Sequence, residues 1–107
     1  CVTSVDIPRL AGAVDGINIK RAKCGGLREA QRMIATARAH GLRVMMGCMI
    51  ETSLGITAAA HLAPLLDYAD LDGAALLADD PWVGAAIVGG RIDIPDAPGL
   101  GVRRRGR

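Results

Sequence analysis

Four ionisable side chains stand where runs of extended character give way to turns. Lys20 closes the alternating run Gly16-Ile17-Asn18-Ile19-Lys20, Glu51 follows Gly47-Cys48-Met49-Ile50, and Asp70 and Asp72 flank Leu71. A lysine withdrawn from water favours its neutral amine, which can accept a proton; a lysine at a strand end can equally reach out to solvent. A carboxylate at Glu51 could hold a proton, orient a lysine or hydrogen-bond a substrate. It could also serve only as the negative charge at the start of the next helix. Asp70 and Asp72, two residues apart, share one face if they lie on a strand. Two carboxylates on one face repel unless they meet a cation: a metal, an ammonium group or an arginine. A solvated turn is the plain alternative.

Neighbouring residues complete the inventory. Lys23 reads as a surface lysine or a contact for a substrate carboxylate. Cys48 could be a nucleophile, but the two histidines, His40 and His61, fall in helical stretches, which leaves it without a base. Gly25-Gly26 precedes a helix and could receive a phosphate or carboxylate, although a tight turn explains the pair as well. Asp79-Asp80-Pro81 reads as a turn.

The elements that must position these residues follow from periodicity. Ser4 and Asp6 can cap a short helix with Pro8 in its first turn, running toward Val14. Gly16 to Lys20 alternates as a strand, with Ile17 and Ile19 on one side and Asn18 and Lys20 on the other. From Leu27 to His40, Leu27, Ala30, Met33, Ile34 and Ala37 recur at helical spacing, and Gly41 suits the C-terminal cap. Leu42 to Cys48 reads as a buried parallel strand. Thr52 or Ser53 should cap a third helix reaching about Leu66, apolar on nearly every side. Asp70-Leu71-Asp72 marks the end of a third, very short strand. Beyond Ala78, Pro and Gly divide short β-prone runs at Ala86 to Val88 and Arg91 to Ile94, as in a hairpin-like tail.

Alternating helices and strands point to a parallel α/β architecture, whose active sites gather at the C-terminal ends of the strands. That rule selects the stretches 18–26, 47–53 and 70–73. A closed eight-stranded barrel takes about 250 residues, whereas this sequence has 107, room for about three β/α units. The chain opens on Cys1 and runs directly into a helix signal, so an upstream part is expected.

Composition narrows the function classes. Hydrophobic residues make up 50% and charged residues 22%, which suits a globular domain. The net charge of +2 is concentrated in Arg103-Arg104-Arg105-Gly106-Arg107, expected to be a frayed basic terminus, and no basic face interleaved with aromatics suggests nucleic acid. The three cysteines lack metal-ligand spacing and suit a reducing, cytoplasmic setting. No apolar run is long enough to span a bilayer.

Taken together, Asn18-Ile19-Lys20 with Lys23-Cys24-Gly25-Gly26, then Gly47-Cys48-Met49-Ile50-Glu51-Thr52-Ser53, then Asp70-Leu71-Asp72-Gly73, resemble the last strands of enolase-superfamily enzymes of the muconate-lactonizing subgroup. Within it they look most like the dipeptide epimerases. The resemblance runs in order to about Val102. It implies an α/β fold: the last three or so β/α units of a (β/α)8 TIM barrel over residues 1–80, a β-hairpin-like tail folding back over it at 81–102, and a disordered basic end at 103–107. It implies removal of the proton α to a carboxylate and its return on the other face, through a Mg²⁺-stabilised enolate. Lys20 would be one of two acid/base lysines, Asp70 and Asp72 would hold the α-ammonium of a dipeptide, and Glu51, Cys48, Met49 and Lys23 would line the substrate.

The family's other lysine and its three acidic Mg²⁺ ligands have no counterpart in the chain, the last ligand falling just before Cys1. The 107 residues alone are therefore expected to bind no Mg²⁺ tightly and to racemise nothing. Near alternatives are muconate cycloisomerase, o-succinylbenzoate synthase and N-acylamino acid racemase, whose substrates lack a free α-ammonium. A partial barrel assembling with further chains, including copies of itself, is a noncatalytic alternative, and a phosphate-binding barrel piece a third.

Overall fold

Residues 1–106 are described by a computed structural model. A 3₁₀ turn at Ser4–Asp6 leads into helix α1 (Ile7–Leu10), then strand β1 (Gly16–Lys20), a short helix α2 (Arg21–Cys24), helix α3 (Leu27–Ala39) and strand β2 (Arg43–Gly47). Helix α4 (Ser53–Ala60), a 3₁₀ turn at Ala63–Leu65, strand β3 (Tyr68–Asp70) and a 3₁₀ turn at Gly73–Leu76 follow. The remainder holds four short strands: β4 (Trp82–Val83), β5 (Ala86–Val88), β6 (Arg91–Asp93) and β7 (Arg103–Arg104).

β1, β2 and β3 form a parallel sheet in that order, so among the described residues β1 and β3 each have one open edge. Ile17 and Ile19 of β1, with Val44 and Met46 of β2, turn one face of the sheet into the core. Against that face pack Ala30, Met33, Ile34 and Ala37 of α3 and Ile56, Ala59 and Ala60 of α4. Each large apolar side chain among them contributes on the order of 1.5–3 kcal/mol by leaving water. The opposite face, carrying Asn18, Met45 and Tyr68, is half-buried or exposed.

β1, α3 and β2 lie where periodicity predicts them. Gly41, at φ +71°, takes the left-handed conformation that ends α3. Elsewhere the chain departs from expectation. The first helix ends at Leu10 instead of running to Val14. Its start is held by Asp6, which accepts the N–H groups of Val2 and Thr3, while the Ser4 hydroxyl donates to Glu29 of α3. The third helix stops at Ala60 and gives way to a 3₁₀ turn containing Pro64, which has no N–H to continue an α-helix.

The tail holds the four short strands. β5 and β6 make the expected hairpin over Ala86–Val88 and Arg91–Asp93. However, Arg103–Arg104 forms β7, paired antiparallel with β4, where a frayed terminus was expected from Arg103 onward. Arg105 donates its side-chain Nε–H to the Asp80 carbonyl at 2.8 Å and its backbone N–H to the Pro81 carbonyl at 2.7 Å. Backbone pairing thus outweighs the repulsion among neighbouring arginines. Arg107, the last residue of the expected disordered end, lies outside the described residues. No described helix is long and apolar enough to cross a membrane.

Candidate functional site

Parallel pairing places Lys20 opposite Gly47 and Gly47 opposite Asp70, one residue at the C-terminal end of each strand. Paired residues of parallel strands project to the same face. Lys20 and Asp70 therefore share a row across the open face, two strands or roughly 10 Å apart at the backbone. Gly47 between them has no side chain, and the Lys20 side chain uses that space. A Cβ at position 47 would stand 3.0 Å from Lys20 Nζ and 3.2 Å from Asn18 Oδ1. The ammonium donates to the Cys48 carbonyl at 3.4 Å, a long hydrogen bond.

The loop after β2 is fixed from two sides. Glu51 Oε2 lies 2.7 Å from Arg21 Nη2, an ion pair with side chains only 12% and 25% exposed. Glu51 Oε1 faces the Met49 N–H at 3.5 Å. On the other side, Gly73 packs so closely that a Cβ there would meet the Met49 carbonyl and, at 3.0 Å, Cys48 Sγ. The loops following β2 and β3 are thereby in contact.

The expected placement of Asp70 and Asp72 on one strand is not what the structure holds. β3 ends at Asp70, Leu71 turns into the core at 1% exposure, and Asp72 occupies the N-cap position of the 3₁₀ turn at Gly73–Leu76. An inward Leu71 between two outward aspartates would suit a strand as well; what ends β3 is the 3₁₀ turn that starts after Asp72, with Gly73 packed against the Met49 carbonyl and Cys48. Both carboxylates are exposed. Lys23 is exposed on α2, and Met49 is 45% exposed at the loop tip.

Residues that sequence reasoning passed over carry part of the arrangement. Arg21, directly after Lys20, was not singled out, because its partner lies 30 residues away. Asp80 belongs to more than a turn: its Oδ2 accepts the Ser53 N–H at 2.8 Å and the Ser53 hydroxyl at 2.6 Å, capping α4 from the tail. Its Oδ1 accepts the Trp82 N–H at 3.0 Å. Burial by itself would raise this carboxyl's pKa, but the Ser53 hydroxyl and the Trp82 and Ser53 N–H groups more than offset it and hold the pKa below its ordinary value. The acid at the N-terminus of α4 is thus Asp80, while Glu51 is engaged by Arg21.

A cavity of about 590 Å³ lies away from this row, between the start of α4, residues 71–80 and the β5–β6 hairpin. Neither Lys20, Glu51, Asp70 nor Asp72 lines it, so chemistry rather than volume selects the candidate site. Among the described residues no group of three or more His, Cys, Asp and Glu side chains could hold a metal ion. The described side chains therefore do not by themselves surround a metal ion.

Residues 5–106 match the model of the family described as "Enolase C-terminal domain-like". The chain is 50% identical over 99 residues to the L-Ala-D/L-Glu epimerase of Bacteroides thetaiotaomicron, covering 92% of this chain and 26% of that protein. It is 50% identical over 101 residues to a hydrophobic dipeptide epimerase of Flavobacteria bacterium, covering 94% of this chain and 29% of that one. Its fold superposes on the crystal structure of a dipeptide epimerase from Methylococcus capsulatus complexed with Mg and the dipeptide L-Arg-D-Lys. That match has a TM-score of 0.89 and 38% identity, over 95% of this chain and 31% of that one. The chain thus spans about a quarter to a third of the length of the relatives it matches.

Proposed function

The chain belongs to the enolase C-terminal domain-like family, and from that premise we propose that it carries the acid/base lysine and the ammonium-binding carboxylates of a dipeptide epimerase. The observation that carries the reading is the row Lys20–Gly47–Asp70, with Asp72 close behind it, at the C-terminal ends of parallel strands. We read residues 1–80 as the last three β/α units of a (β/α)8 barrel and 81–102 as a tail packed onto them. The sheet face bearing Asn18, Met45 and Tyr68 is then the one turned toward the barrel axis.

In this reading the neutral amine of Lys20 takes the proton from the carbon α to the substrate carboxylate. The N–H bond forms as the C–H bond breaks, and the electron pair is left on the substrate. Proton return to the opposite face falls to a group outside this chain. Asp70 and Asp72 receive the α-ammonium of the dipeptide, which gives two exposed like charges a cation to meet. Cys48 and Met49 line the substrate beside Lys20, Lys23 stands at the rim toward a substrate carboxylate, and Glu51 shapes the loop between them. A relative of this kind has been crystallised with Mg, whereas the described residues of this chain hold no cluster of three or more ligating side chains.

The test is a graft. This chain replaces the matching C-terminal segment of the Bacteroides thetaiotaomicron relative, and conversion of L-Ala-L-Glu to L-Ala-D-Glu is followed by NMR. Epimerisation that Lys20→Ala abolishes is the expected result. A folded graft that does not epimerise, or does so equally with Lys20→Ala, overturns the reading.

A further inference from the structure

The Arg21–Glu51 pair lies one residue from Lys20 in sequence and beside the loop on which the Lys20 ammonium rests. Three elements converge on it: Arg21 opens α2, Glu51 belongs to the loop after β2, and Gly55 lies in the first turn of α4. A Cβ at Gly55 would stand 2.6 Å from Glu51 Oε2 and 2.7 Å from Arg21 Nη2, so the missing side chain makes the seat of the pair. Arg21 Nε is buried and has no hydrogen-bond partner. A long cationic side chain is thus held in a confined position at the cost of one unmade hydrogen bond, and its contact with Glu51 is what it has in return.

The charge arrangement suggests what the contact is for. Glu51 spends one oxygen on Arg21 and turns the other toward the Met49 N–H, while Lys20 meets a carbonyl and not a carboxylate. The acceptor of Lys20, the Cys48 carbonyl, is only three residues before Glu51. A Glu51 carboxylate released from Arg21 sits on the same short loop as that carbonyl and can turn toward the lysine as a charged hydrogen-bond acceptor.

We propose that Arg21 is a positioning residue: it holds the Glu51 carboxylate off Lys20 and fixes the 48–52 loop, leaving the lysine amine available for proton transfer. The catalytic consequence rests on the epimerase reading; the arrangement of the three side chains does not.

The test separates the two. In the 107-residue chain, acetylation of Lys20 by an N-hydroxysuccinimide ester is measured relative to the exposed Lys23 by peptide mass mapping. Arg21→Met should slow Lys20 about tenfold relative to Lys23, as expected for an amine that gains a carboxylate partner. Arg21→Lys should retain most of the reactivity. The double variant Arg21→Met with Glu51→Gln should recover it, which loss of structure alone would not do. An unchanged ratio in folded Arg21→Met, or a double variant as slow as the single, overturns the proposal. If Arg21→Met alone does not fold by circular dichroism, the double variant decides: a wild-type ratio supports the proposal and a slow Lys20 overturns it. Because labelling needs no turnover, it gives an answer even where the graft does not epimerise.

Discussion

Lys20 Nζ lies in the space that a side chain on Gly47 would fill, 3.0 Å from where its Cβ would be. The neighbouring strand leaves this gap at the middle of the row, and the lysine crosses it toward the Cys48 carbonyl. Stability and chemistry should therefore part company at position 47.

Gly47→Ala meets the far ends of two flexible side chains, Lys20 and Asn18, which can move aside. We expect a stability change within about 1 kcal/mol, read by urea unfolding of the chain. In the grafted enzyme the displaced amine should slow epimerisation about 10²-fold, the effect of a misplacement near 1 Å. Loss of both in proportion would contradict this account.

Asp80→Asn removes the charge that caps α4 from the tail. At neutral pH it should cost about 1.5–3 kcal/mol, the range for hydrogen bonds to a charged group. The folded-state pKa of Asp80 lies below the ordinary 3.8. Its contribution is therefore present above the ordinary carboxylate range and lost as the pH falls through that range to the lower folded value. Unfolding curves of the two proteins should differ at pH 7 and converge on acidification below the ordinary value. A difference that stays constant with pH would assign the effect to shape and not to charge.

Thr57 is fully buried, donates its hydroxyl to the Ser53 carbonyl at 2.6 Å and accepts the Ala85 N–H at 2.8 Å. Thr57→Val keeps the shape and orphans the Ala85 N–H, so a loss of about 1–3 kcal/mol is expected. Hydrogen exchange should show the Ala85 amide losing its protection, and a variant as stable as the parent would show that the tail finds another partner.

Asp72 sits at an N-cap position without a side-chain capping bond. Asp72→Asn should leave the unfolding midpoint unchanged. In the graft it should raise KM for a dipeptide about tenfold or more, as for a lost charged hydrogen bond, and affect an N-acylated substrate much less. Equal effects on the two substrates would remove the α-ammonium from the role assigned to it.

These outcomes bear on how far the sequence alone reaches. The alternation of Ile17 and Ile19 with Asn18 and Lys20, and the helical spacing from Leu27 to Ala37, are local patterns, and the elements they mark are where they should be. α2 is only four residues long, too short for any period to show. The spacing of Asp70 and Asp72 allows one strand; what ends it is the turn at Gly73, seated against Met49 and Cys48 of a distant loop and so invisible in the stretch itself. The least legible features are partnerships across about 30 residues: Arg21 with Glu51, and Asp80 with Ser53. Both join a residue of one loop to another whose neighbourhood exists only after the sheet has paired.

The row itself has a further consequence. Lys20 and Asp70 stand on different strands, so the distance between them is set by the interstrand spacing of about 4.8 Å per step and not by loop conformation. The sheet acts as a ruler with fixed graduations, while Met49, Ile50 and Glu51 hang from a loop beyond its end. The backbone interval between Lys20 and Asp70 does not depend on that loop, although the Lys20 ammonium rests on it through the Cys48 carbonyl. The separation of Lys20 from Asp70 is thus a property of the strands, whatever side chains the loops beyond them carry.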